Sequence, residues 1–205
     1  MSAMRTIQTL VLILVLVLVA ARFAMAGEPT DQIRSSVDEV IKVVQSQPDG
    51  PSRREEVRRV ANQLFDFEET ARRALGQHWQ QRTPAEREEF VKLFSDLLEA
   101  AYVGKIDLYQ GEKITYVSET VEGDQATVKT RIATKQGTDV PVDYRLLREN
   151  DGWRVYDVVV EGVSLVGNYR TQFNKIIQTS SYEDLVKRMR AKDFSAPEGT
   201  RGRRG

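Results

Sequence analysis

Asp157, Glu161, Tyr144 and Tyr156 are the side chains of this sequence best placed for acid–base chemistry. Asp157 lies in a strongly apolar stretch, where a charged carboxylate is disfavoured unless it accepts hydrogen bonds. Small α+β cone folds use such carboxylates as proton-transfer bases. The alternative is a structural role, in which Asp157 accepts backbone or arginine hydrogen bonds and Glu161 caps a turn or pairs with Arg170. We favour the structural role, because most isolated carboxylates of this kind are not catalytic.

The sequence lacks the residues that most other catalytic and ligand-binding mechanisms require. The chain contains one histidine, His78, and no cysteine, which excludes thiol catalysis and zinc sites made of several nitrogen and sulfur ligands. It has no Gly-x-Ser-x-Gly nucleophile elbow and no glycine-rich phosphate loop. The 30 basic and 30 acidic side chains balance, so no field for nucleic acid is expected. We predict no catalytic residue, metal, cofactor or nucleic-acid partner.

Residues 1–26 have the pattern of a cleaved secretory signal peptide. Arg5 provides a basic start, residues 10–21 are apolar, and Ala24 and Ala26 are small residues at the cleavage positions. The apolar run is shorter than the roughly 20 residues that a membrane-spanning helix requires, and Arg22 interrupts it. We therefore expect export and cleavage, which would leave a soluble chain.

The rest of the chain is expected to form one domain and a tail. Residues 27–194 are enough for a single hydrophobic core, which must stabilise the domain without disulfides. Residues 195–205 are rich in Gly, Pro and Arg, a composition that predicts disorder. Contact of Arg201, Arg203 and Arg204 with an anionic membrane surface is the alternative.

Helices are predicted first, strands second and helices last. Apolar side chains recur at helical spacing over residues 33–44, 57–65 and 90–102, and Ser52 with Glu55 forms a capping-box pattern before the second stripe. From Glu112 the apolar period becomes two, and three glycine-containing turns separate four predicted strands, the last at residues 153–160. This order predicts an α+β domain with a four-stranded antiparallel sheet.

The fourth predicted strand is apolar on both faces. Strict alternation places Tyr156, Val158 and Val160 on one face and Trp153, Val155 and Val159 on the other, where Asp157 is the polar interruption. An antiparallel sheet with one face in water alternates more cleanly. Either a thick core or a strongly curved sheet that encloses an apolar cavity would explain the pattern.

Three sequence blocks carry a resemblance to a known family. They are FDFEETARRALGQHW (residues 65–79), TPAEREEFVKLFSDLLEAAY (83–102) and GWRVYDVVVEGVSLVGNYR (152–170). In these blocks, and over residues 33–189 in general, the chain resembles the MlaC, or toluene-tolerance, family of periplasmic phospholipid-binding proteins. The chain departs from the family pattern at Ser180 and Ser181, where a glycine is expected before the last helix.

The resemblance implies a phospholipid-binding shuttle in the periplasm. Such proteins carry phospholipids between an outer-membrane lipoprotein–porin complex and an inner-membrane ABC transporter complex with its substrate-binding ring, and so maintain outer-membrane lipid asymmetry. The implied fold is an NTF2-like cone, in which acyl chains lie between helices and curved sheet while the head group stays near solvent. A monomer is expected, since a shuttle must present its cavity to two different complexes.

Pattern and resemblance together select candidate lipid-binding residues. The expected cavity-lining residues are Phe94, Leu98, Tyr102, Val128, Tyr144, Leu146, Val158, Val160, Val163, Leu165, Tyr169 and Phe173. The expected head-group contacts are Arg145, Arg148 and Arg170, whose guanidinium groups suit a phosphate. Two other hypotheses stay open: a small cone-fold enzyme that uses Asp157 or Glu161, and a periplasmic adaptor or chaperone without a ligand.

Overall fold

The computed structural model of the chain describes residues 29–106, 109, 111–134, 137–150 and 152–194. The predicted signal peptide and the predicted tail lie outside these residues. The helices are α1 (Pro29–Ser46), α2 (Pro51–Leu64), α3 (Phe67–Leu75), α4 (Pro84–Ile106), α5 (Leu165–Thr179) and α6 (Tyr182–Arg190), with a 3₁₀ helix (Gly76–Gln81) between α3 and α4. None of the helices in this part of the chain has both the length and the apolarity that a membrane span requires.

One antiparallel sheet follows the first four helices, which confirms the predicted α+β class. Its strands, in chain order and in spatial order, are β1 (Lys113–Glu122), β2 (Gln125–Ala133), β3 (Asp139–Glu149), β4 (Gly152–Val160) and β5 (Val163–Ser164). Each strand pairs with the next along the chain, as expected of a meander.

The prediction of four strands is wrong, because the described residues contain a fifth. Glu161 and Gly162 both have positive φ, 52° and 82°, and they form a two-residue turn that brings Val163 opposite Val160. Such turns favour Asn, Asp or Gly at both central positions, so Glu161 concealed the hairpin. A strand of two residues also gives no alternation to detect.

Polar side chains fix the starts of four helices, and the first of them is α3, where Asp66 accepts from the Glu69 N–H at 2.8 Å. Thr83 and Glu86 form a capping box at α4, in which the Thr83 N–H donates to Glu86 Oε2 at 2.7 Å. Ser164 accepts from the Gly167 N–H at 2.8 Å at the start of α5. At α6, Ser181 accepts from the Asp184 N–H at 3.1 Å, so a serine caps the helix where the resemblance predicted a glycine.

Helix α2 starts differently from its prediction. Its N-cap is Gly50, which forms no side-chain cap, rather than Ser52 in a capping box. Pro51 occupies the first helical position, where its fixed φ and missing N–H are favourable. The helix therefore begins before Ser52 can cap it.

A register shift in β4 changes which residues share a face. Val158 pairs with Tyr144, but beyond the shift Val155 pairs with Leu146 and Trp153 with Arg148. Directly paired residues point to the same face, so Trp153 and Val155 lie on the face of Val158 and Val160. The predicted division of β4 is therefore wrong, because the extra residue of a bulge reverses the alternation beyond it.

Two apolar clusters hold the domain together. The helical core joins α3, α4, α5 and α6 through Ala71, Ala74, Leu75, Trp79, Phe90, Phe94, Leu97, Val166, Tyr169, Phe173, Tyr182, Leu185, Val186 and Met189. The sheet core joins α1 and the end of α2 to the sheet through Ile33, Leu64, Ala126, Val128, Leu146, Trp153 and Val155.

Candidate functional site

A cavity of about 730 Å³ lies among α2, α3, α4, α5 and strands β2 to β4. Its size is in the usual range for a ligand site, about 300–1,000 Å³. Apolar and aromatic side chains make up most of the wall, namely Val57, Ala61, Phe65, Phe67, Phe94, Leu98, Tyr102, Ile106, Ile132, Val140, Val142, Tyr156, Val158, Val160, Leu165, Val166 and Tyr169. Such a wall favours hydrocarbon over any polar ligand group.

Seven of the twelve predicted lipid-binding residues line this cavity. Three come from α4, two from β4 and two from α5: Phe94, Leu98, Tyr102, Val158, Val160, Leu165 and Tyr169. On α4, Phe94, Leu98 and Tyr102 follow one another at intervals of four residues, which places them along one side of the helix. On β4, Val158 and Val160 point to one face.

The other five predicted residues lie away from the cavity wall. Val128 and Leu146 are fully buried in the sheet core, and Tyr144 packs against that core. Burial raises the pKa of Tyr144 to about 12. Phe173 is buried in the helical core, whereas Val163 in β5 is 39 % exposed. Contact of any of the twelve residues with a lipid stays a prediction.

Two aromatic residues of the cavity wall, Phe94 and Tyr169, also belong to the helical core. The Phe94 ring meets Tyr169 and Phe173 edge to face, with centroids 5.1 and 5.3 Å apart. Burial, with a smaller contribution from Tyr102, raises the pKa of Tyr169. Since both effects oppose ionisation, the phenol stays neutral at pH 7 and adds no charge to the wall.

Charged residues from α2 and α4 form a polar rim on the cavity. Arg58 of α2 donates two hydrogen bonds to Glu99 of α4, Nε to Oε2 at 2.8 Å and Nη2 to Oε1 at 2.5 Å. These bonds raise the pKa of Arg58. Lys92 donates to Asp96 at 3.1 Å, within α4. The cavity thus combines a mostly apolar interior, which also includes the buried Asp157, with a partly exposed rim of paired charges.

The three arginines predicted to contact a head group do not line the cavity. Arg145 forms an ion pair with Asp157 at 3.1 Å, and Arg148 stacks over the ring of Trp153 at 4.6 Å. Arg170 lies against Gly76 and lines a separate depression. Their role as phosphate contacts stays a prediction.

Asp157 has three hydrogen-bond donors and is only 4 % exposed. It accepts from Ser164 Oγ at 2.6 Å, from the Val166 N–H at 3.1 Å and from Arg145. The carboxylate therefore attaches the start of α5 to β4, as the structural interpretation expected. The part of the chain that the structure describes contains no cluster of three or more His, Cys, Asp or Glu side chains that could hold a metal ion.

The rim residues Arg58 and Lys92 were not among the sequence-based candidates. Arg58 adjoins Val57, the first apolar residue of the predicted second helix. Lys92, Asp96 and Glu99 follow one another at helical spacing beside the apolar stripe of α4. The sequence signal for these residues was a row of charged side chains beside a row of apolar ones. That signal is not specific, because most surface helices have a charged face towards solvent.

Comparison with known proteins gives consistent results. A model of the family described as "MlaC protein" matches residues 34–191. The intermembrane phospholipid transport system binding protein MlaC of Haemophilus influenzae is 27 % identical over 138 residues, which are 63 % of this chain and 64 % of that protein. The match therefore spans less than two thirds of the relative's length.

The fold also has a solved counterpart. A phospholipid-binding protein from Ralstonia solanacearum, determined in complex with a phospholipid, superimposes with a TM-score of 0.72. The superposition covers 82 % of this chain and 97 % of that one at 24 % sequence identity. At this identity the likeness establishes a shared fold.

Proposed function

This chain belongs to the MlaC protein family, and we propose that it binds a phospholipid in the cavity among α2 to α5 and carries it between two membranes. One observation carries the proposal: an apolar cavity of about 730 Å³ bears a rim of paired charges. A phospholipid has the same division, with two hydrocarbon chains and a charged head group. The name of the Haemophilus influenzae relative, a binding protein of intermembrane phospholipid transport, supports the choice of ligand.

The energetics require a carrier with such an interior. At about 0.8 kcal/mol per methylene, two acyl chains lose on the order of 20 kcal/mol on entering water. Free diffusion between membranes is therefore negligible. A cavity that replaces membrane hydrocarbon with apolar side chains removes most of this cost.

Seven residues are proposed to contact the acyl chains. They are the predicted residues that line the cavity, Phe94, Leu98, Tyr102, Val158, Val160, Leu165 and Tyr169. The NTF2-like cone implied by the family resemblance belongs to the same proposal, with the chains held between helices and curved sheet.

The cellular setting is proposed from the sequence and the family. Residues 1–26 would direct export to the periplasm, and the cleaved protein would work there as a monomer. It would exchange phospholipid with an inner-membrane ABC transporter complex that has a substrate-binding ring, and with an outer-membrane lipoprotein–porin complex. The outcome would be maintenance of outer-membrane lipid asymmetry.

Native mass spectrometry of the protein purified from a Gram-negative periplasm tests the proposal. We expect one phospholipid per chain, released by organic solvent and identified by its mass. Delipidated protein should regain the ligand from phospholipid vesicles. A chain that is isolated without lipid and takes none up from vesicles would refute the proposal.

A further inference from the structure

We propose that Arg58 binds the phosphate of the phospholipid and exchanges Glu99 for it when acyl chains fill the cavity. This inference rests on the proposed function and adds the residue that recognises the head group. The sequence-based candidates for that role were Arg145, Arg148 and Arg170.

The location of the cationic side chains on the cavity limits which of them can bind the phosphate. Among the described residues that line the cavity, the cationic side chains are Arg58 and Lys92. A phosphate cannot follow its acyl chains into the apolar interior, because the buried charge would lose its hydration without compensation. It must stop at the rim, where these two side chains lie.

Geometry favours Arg58 over Lys92. The two hydrogen bonds from Arg58 to Glu99, at 2.8 and 2.5 Å, use the planar fork of the guanidinium group. Two oxygens of a phosphate fit that fork as the two oxygens of a carboxylate do. Lys92 has a 77 % exposed side chain that bonds a residue one turn away on its own helix, and its ammonium group is a point charge without a planar fork.

The solvent exposure of both side chains allows Arg58 to exchange Glu99 for a phosphate. The side chain of Arg58 is 54 % exposed and that of Glu99 is 26 % exposed, so both are partly hydrated. Solvent screens a partly exposed ion pair of this kind. A phosphate also offers the guanidinium group two oxygens, so the exchange replaces one bidentate pair with another. Glu99 can turn to solvent, or to an ammonium group of a zwitterionic head group, once the phosphate takes its place.

The test compares two lipids that differ only in the phosphorylated head group. Dioleoylphosphatidylglycerol and dioleoylglycerol would each displace a fluorescent fatty-acid probe from the delipidated full chain. We expect Arg58→Gln to lower affinity for the phospholipid about tenfold or more, as for loss of hydrogen bonds to a charged group. Affinity for dioleoylglycerol, which has no phosphate, should not change.

Arg59→Gln is the matched control. Arg59 is the next residue of α2 and joins that helix to Glu39 of α1, but it does not line the cavity. This variant should bind both lipids as the unmodified chain does. Glu99→Gln should strengthen phospholipid binding, because it weakens the competitor for Arg58. Inorganic phosphate should not displace the probe, since it has no chains to fill the cavity.

Several results would overturn the inference. Equal losses for both lipids in Arg58→Gln would assign Arg58 to the shape of the cavity, and no loss for either would remove it from the site. Arg58→Lys, which keeps the charge but not the fork, should bind the phospholipid with intermediate affinity. Unchanged binding by Arg58→Lys would refute the fork argument, including in the case where Arg58→Gln does not fold. An unmodified chain that binds neither lipid would instead refute the proposed function.

Discussion

Two residues near the start of α5 differ in their position relative to the cavity: one lines it and the other does not. Leu165 is the first residue of the helix and lines the cavity. Val163, two residues earlier, lies in β5 with 39 % of its surface exposed. The same substitution at both positions therefore compares a charge inside the cavity with a charge in water.

Leu165→Glu should abolish co-purifying lipid without unfolding the protein. A carboxylate at the cavity wall would lose hydration when acyl chains enter. The fold should tolerate it, because acidic residues in the first turn of a helix interact favourably with the helix dipole. Lipid extraction and circular dichroism would measure both effects.

Val163→Glu is the control, and it should retain lipid. If Leu165→Glu also retained a normal amount of lipid, the assignment of the cavity to the acyl chains would be wrong.

The candidate site could be predicted from the sequence where its residues follow a regular period. Phe94, Leu98 and Tyr102 were identified by their helical spacing, and all three line the cavity. Val128 and Leu146 were selected by the period-two alternation of strands, as Val158 was, but they pack in the sheet core. Local period gives the face of a residue where no bulge intervenes, whereas the element that covers that face depends on how distant helices dock.

At the scale of elements, the turn between β4 and β5 determines where α5 begins. Ser164 pairs with Val159 in the sheet, caps α5 and donates to Asp157. The turn itself contains Glu161 in a left-handed conformation, φ 52°, which disfavours side chains other than Asn, Asp and Gly. The turn is therefore a place where stability can be changed, and its Glu161 also borders the cavity.

Glu161→Asn should stabilise the protein, and Gly162→Ala should destabilise it. Asn tolerates the left-handed region and favours this turn type, whereas an alanine at the φ of 82° seen for Gly162 would be strained by about 1 kcal/mol. Urea unfolding would measure both changes. A destabilising Glu161→Asn would show that the glutamate makes a compensating interaction.

The elements themselves were mostly predictable. The last predicted strand was expected at residues 153–160, and β4 extends from Gly152 to Val160. The bulge in β4 was not predictable, because an extra residue in one strand becomes visible only when its partner strand is aligned.

For the whole molecule, the size of the cavity bears on the stability of the protein. Apolar side chains that face unfilled space lose packing contacts, so an empty cavity of about 730 Å³ costs stability. Typical domains are stable by only about 5–15 kcal/mol. Water, partial collapse or a ligand must offset this cost, and a bound lipid would do so by completing the space between helices and sheet.

Removal of the lipid should lower the temperature of unfolding. A ligand that binds only the folded state adds about 2.7 kcal/mol when its concentration is 100 times its Kd. Scanning calorimetry of loaded and delipidated protein would measure the difference. Leu165→Glu serves as the control, since its unfolding temperature should not respond to added lipid. Equal unfolding temperatures for loaded and delipidated protein would contradict ligand binding to the folded cavity.

The ion pair between Arg58 and Glu99 at the cavity rim is accessible to the surrounding solution. Because the Arg58 side chain is 54 % exposed, dissolved ions reach it. Electrostatic attraction is screened over about 8 Å at physiological ionic strength and about 3 Å in 1 M salt. The attraction between α2 and α4 at the rim therefore weakens as salt rises. The ease with which the two helices separate would then depend on the ionic composition of the compartment as well as on the protein.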